Sequence, residues 1–109
     1  MDRSSRPAPP KVAPVVIDGV RYSQVLNARK HGLPGGSGWL MASKPDSDEA
    51  LWTLKVYETR IDPADETDVQ EVYFSSMERV KGRRGLKIRN EVDKSFIVDL
   101  ATRRVTSIP

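Results

Sequence analysis

With 109 residues, no cysteine and a net charge of +3, the chain holds one domain and excludes disulfide scaffolds, thiolate zinc sites and thiol nucleophiles. No apolar run approaches the roughly eighteen residues of a membrane span, and the opening MDRSSRPAPPKVAP lacks the apolar stretch of a secretory signal, so a cytoplasmic protein is expected. The charge is unevenly placed: residues 46 to 71 hold nine acids against Lys55 and Arg60, whereas residues 79 to 109 hold nine bases against Glu91, Asp93 and Asp99.

Residues 1–14 carry four prolines among serine and arginine, with too little apolar content to order themselves. A disordered tail is expected there, ahead of a β domain spanning residues 15–109. In VVIDGVRY, Asp18-Gly19 lies between β-branched and aromatic residues, the pattern of a hairpin whose type I′ turn needs positive φ at both central positions. Strands are predicted at 14–17 and 20–25. LNARKHGLPGGSG holds four glycines and a proline, which fit neither periodicity. A long loop is expected, opened by a helical turn at 24–30.

From Trp39 onward strands are predicted at 39–44, 51–61, 69–78, 86–92, 95–100 and 103–108. Alternation assigns Trp52, Leu54, Val56, Leu86, Ile88, Val92, Phe96, Val98 and Leu100 to the core. The short polar links at 44–50, 80–85, 93–94 and 101–102 suit antiparallel neighbours, because a parallel crossover takes about a dozen residues. The fold class is therefore all-β, an antiparallel meander closed as a barrel or folded as a sandwich.

In LMASKPDSDEALWTLKVY, residues 40–57, two strands flank a polar turn. Counted from Ala42, the positions that carry Ala, Asp, Thr, Gly and Trp in the repeat hairpin of pyrroloquinoline-quinone-type propellers fall on Ala42, Lys44, Ser47, Asp48 and Trp52. The stretch resembles that hairpin, with Ala42 and Trp52 identical and Ser47 a conservative stand-in, while Lys44 and Asp48 depart from it. The resemblance implies a blade-like hairpin and nothing more. A propeller takes at least four blades of about forty residues, and no residue of a quinone site has a counterpart here, so no cofactor is expected. The whole chain is similar to small bacterial β proteins of no assigned activity.

Candidate chemistry is sparse. His31 is the one histidine, and its setting HGLPGGSGW lacks the Lys-Ser/Thr ending of a phosphate loop and a Gly-x-Ser-x-Gly elbow. The acidic turns at 46–49 and 62–68 lack the alternating carboxylates, central glycine and distal glutamate of an EF-hand loop. Asp and Pro favour turns on their own account. Neither a metal site nor catalytic residues are expected, and an enzyme built on the His31 loop ranks third among the functional readings.

The pointed signal is RVKGRRGLKIRN, residues 79–90. Arg79, Lys81, Arg83 and Arg84 surround a loop, while Lys87 and Arg89 project from one face of the next strand. These six are the candidate partner-binding residues. The first reading is a small non-enzymatic module that binds a protein through an edge strand or this basic hairpin. The alternative is single-stranded nucleic acid on the same residues, which also needs exposed aromatic rings for base stacking. Trp52, Phe74 and Phe96 fall in the core pattern, leaving Tyr22, Trp39, Tyr57 and Tyr73 unplaced.

Overall fold

Asp18 and Gly19 take φ values of 51° and 77°, the two positive angles that a type I′ turn demands. They join β1 (Val15–Ile17) to β2 (Val20–Gln24). A computed structural model of the protein describes residues 11–26, 28–33, 37–47, 49–58 and 72–108. After a 3₁₀ turn at Ala28–His31 come β3 (Trp39–Ser43), β4 (Ala50–Lys55), β5 (Phe74–Arg79), β6 (Gly85–Asn90), β7 (Ser95–Asp99) and β8 (Arg104–Ile108).

Every pairing is antiparallel and joins neighbours in sequence, giving two four-stranded sheets, β1-β2-β3-β4 and β5-β6-β7-β8. The sheets do not close into one barrel, and the fold is a sandwich. One face of each sheet turns inward. Ile17, Tyr22, Leu40 and Ala42 meet Phe74, Leu86, Ile88, Phe96 and Val98 in a shared core. Trp52, Leu54 and Met77 pack partly buried against it.

Six of the nine expected core residues are buried, and Trp52 and Leu54 are partly so. Val92 is the exception at 56% exposed. β6 stops two residues before it because the buried Asn90 turns the chain: its Oδ1 accepts from the N–H of Val92 at 3.1 Å and of Lys94 at 3.0 Å. An Asx-type bond of this kind outcompetes strand continuation. β4 likewise ends at Lys55 rather than at 61. The Val56 N–H donates to the Gly38 carbonyl at 2.7 Å, and Tyr57 then turns inward to stack on Phe96, ring centroids 5.3 Å apart.

The predicted strand positions 59–61 and 69–71, the acidic turn at 62–68 and residues 1–10 of the expected tail lie outside the described residues. Val12, assigned to the tail from sequence, packs against the core. The helical turn falls at 28–31, later than 24–30, because Gln24 and Val25 stay with sheet one. The Val25 N–H donates to the Trp39 carbonyl at 3.0 Å.

In a meander, successive turns alternate between the two ends of the sheet. The β1-β2, β3-β4, β5-β6 and β7-β8 turns gather at one end, called the head. The opposite end, called the base, holds the β2-β3 loop, the exit from β4, the entry to β5 and the β6-β7 turn. Side chains tie the sheets at the base. Gln24 Oε1 accepts from the Phe74 N–H at 2.6 Å, Ser37 Oγ accepts from the Val72 N–H at 2.9 Å, and the Tyr57 hydroxyl donates to the Val72 carbonyl.

Candidate functional site

Two adjacent turns build the head of the second sheet. The Leu100 N–H donates to the Arg84 carbonyl at 3.1 Å, which locks the β7-β8 turn against the β5-β6 turn. Each turn is shaped by its own residues. Gly82 at φ 81° permits the first, and Arg103 at φ 61° closes the second, its N–H donating to the Asp99 carbonyl at 2.6 Å. Asp99 Oδ1 accepts from the N–H groups of Ala101 and Thr102 at 2.9 and 3.2 Å. That carboxylate is thereby spent on the turn, although it stands opposite Arg104 across the strands.

The result is a cationic cluster of Arg79, Lys81, Arg83, Arg84, Arg103 and Arg104, all exposed. Two of the six are engaged. Arg84 Nε meets Asp18 Oδ2 at 2.9 Å, with the two side chains 65% and 57% exposed, and the Arg103 guanidinium lies 5.2 Å from the centre of the Trp52 ring. No ion pair holds Arg79, Lys81, Arg83 or Arg104 among the described residues. Like charges crowded on two turns raise the local potential and favour an anionic partner.

Four of the six residues singled out from sequence, Arg79, Lys81, Arg83 and Arg84, belong to this cluster. Lys87 and Arg89 do not. They run along the outer face of β6 toward the base, where Lys87 stands opposite Glu78 on β5 and Arg89 Nη2 reaches Asp93 Oδ1 at 3.4 Å. Cross-strand and i,i+4 pairing of opposite charges partly neutralises both. Arg103 and Arg104 take their place. The signal for them was available in the chain, since in a meander the turn two strands on returns to the same end.

The first sheet contributes opposite charge to the head. Asp18, Asp46 and Glu49 sit on its two turns, and the Arg21 guanidinium is drawn into that half by Ser43 Oγ at 3.3 Å and the Ser47 carbonyl at 3.2 Å. The Arg84–Asp18 pair marks the seam between the acidic and basic halves. Beneath it lies Tyr22, whose hydroxyl titrates above the usual 10.0 because burial disfavours the phenolate; Arg84 opposes that shift and Asp18 adds to it.

Aromatic rings are scarce beside the cations. Phe74 and Phe96, the aromatic residues of β5 to β8, are buried. Trp52 reaches the head but is half-buried, lies against Tyr22 at 5.9 Å and is covered by Arg103. Trp39 is at the base under the Lys55 ammonium at 5.3 Å, and Tyr73 precedes β5 at the same end. His31 is exposed in the β2-β3 loop, at the end remote from the cluster. Among the described residues no three His, Asp or Glu side chains gather as a metal site, and no helix is long and apolar enough to cross a membrane. No family model matches the chain, and neither does any curated protein or solved structure.

Proposed function

We propose that the domain is a non-enzymatic interaction module that docks an acidic segment of a protein partner on the cationic head. The observation that carries this reading is the bonding of two turns into one exposed group of six cations, four of them without an ion pair among the described residues. A carboxylate-bearing peptide needs only such cations and backbone groups. Single-stranded nucleic acid, the second reading, shares the phosphate-seeking charge but also wants open aromatic faces, and the nearest ring already carries Arg103.

The test is a fluorescence anisotropy titration with a labelled glutamate-rich peptide and a single-stranded DNA of similar length, at low and at physiological salt. The peptide is expected to bind more tightly than the DNA and to weaken as salt rises. Reversing Arg79, Lys81, Arg83 and Arg104 to Glu should cost about 30-fold in affinity, at roughly 0.5 kcal/mol per exposed contact. Tight DNA binding without peptide binding would transfer the head to nucleic acid, and no binding of either would end both readings.

A further inference from the structure

Four strands lie at sheet edges, and three of them are guarded against pairing with another chain. β1 is three residues long and follows Pro14. β4 is met by a register shift at Ala42/Ser43 in its partner and ends on Lys55. β5 has a register shift between Phe74 and Ser76, where Ser75 Oγ donates to the carbonyls of Arg89 and Asn90, and it also carries Glu78 and Arg79 and lies against β1. Bulges, prolines, charges and short length are the devices by which natural sheets protect their edges.

β8 has none of these except one terminal charge. It pairs with β7 at all five residues from Arg104 to Ile108 without a register shift, and it contains no proline, glycine or lysine. Among the described residues no strand lies on its far side. A straight, unguarded edge is a template for another strand.

We infer that β8 pairs antiparallel with β8 of a second copy of this chain, about a two-fold axis at Thr106. The sequence RVTSI is self-complementary in that register. Thr106 meets its own counterpart, a favourable cross-strand pair, and Val105 meets Ser107 of the second copy. Arg104, the one charge, lies beside Ile108 of the second copy, whose side chain can cover the aliphatic stem of the arginine. The opposite strand polarity would set Arg104 beside Arg104. The two-fold also sends the cationic heads to opposite extremities of a continuous eight-stranded sheet, so the like charges stay apart. An isologous interface of this kind closes at two copies.

The test uses Thr106→Lys and Thr106→Glu, because Thr106 is exposed and its replacement leaves the core intact. Sedimentation velocity over a concentration series reads the mass of wild type, each variant and their equimolar mixture, with thermal melting to show that each variant is folded. Wild type is expected to dimerise with rising concentration, each variant to dimerise at least roughly tenfold more weakly as like charges meet on the axis, and the mixture to recover a heterodimer. A wild type that stays monomeric up to about 1 mM overturns the inference. So does a dimer that neither variant disturbs, or a mixture that fails to recover.

Discussion

The two ends of the sandwich spend their polar groups differently. At the base, Gln24, Ser37 and Tyr57 bond across the sheets to the backbone of residues 72–74, and the Lys55 ammonium donates to the Ser37 carbonyl at 2.8 Å. At the head, side-chain contacts between the sheets are exposed charge and ring contacts, Arg84 with Asp18 and Arg103 over Trp52. Groups committed to buried hydrogen bonds hold a fold, because leaving them unmade costs desolvation; solvated ion pairs cost little to break. The base is therefore where the sandwich is held, and the head is where cations can be lent to a partner.

That contrast can be broken most sharply at Gly38. It sits buried at φ 98°, and a Cβ there would overlap the Tyr57 carbonyl oxygen. Gly38→Ala is expected to cost about 1–3 kcal/mol from the backbone conformation alone, with the overlap in addition. Urea unfolding would read it, and a loss below about 0.5 kcal/mol would show that the base yields more easily than its geometry implies.

A middle-sized effect is expected in the β6-β7 turn. Asn90→Ala removes the acceptor of two backbone N–H groups, and about 1–2 kcal/mol should be lost in the same measurement. Hydrogen exchange at Val92 and Lys94 should accelerate more than exchange at the head turns. Uniform acceleration would mean that Asn90 supports the whole sheet rather than its turn.

The smallest effect belongs to the head. Arg84→Ala should change stability at neutral pH by no more than about 0.5 kcal/mol, a difference that salt shrinks further, because both partners are solvated. Its signature lies in the alkaline limb. Tyr22 has a folded pKa above its unfolded value near 10.0, so its contribution is complete below that pH and is lost as pH rises through the folded pKa. Removing Arg84, which lowers that pKa, should move the phenolate titration higher and steepen the alkaline loss. An unchanged phenolate absorbance titration would show that Arg84 does not act on Tyr22.

The same contrast explains what the chain discloses in advance. The second sheet is readable because its turns are local: alternation finds Leu86, Ile88, Phe96 and Val98, and short links join them. Asp18-Gly19 announces its own turn. Tyr22 could have been found by parity, since it shares a face with Val20 beyond that turn. The base was not legible, because its bonds join residues such as Gln24 and Phe74 that are 50 positions apart, and no periodicity encodes such a meeting. The cationic head was half legible. Its first turn reads as a basic run, whereas Arg103 and Arg104 join it only once strands are counted and the Arg84–Leu100 bond is known. Lys87 and Arg89 fit the run by spacing yet leave it by face.

Because every strand pairs with its neighbour in sequence, the entropy of closing each hairpin is small and both sheets can zip up from their turns. Long loops are closed only when the sheets meet at the base, through Ser37 with Val72 and Gln24 with Phe74, contacts 35 and 50 residues apart. The connectivity therefore places the main barrier to folding at the face-to-face docking of two preformed meanders. The chain acquires its order in two halves and its permanence in a single late step.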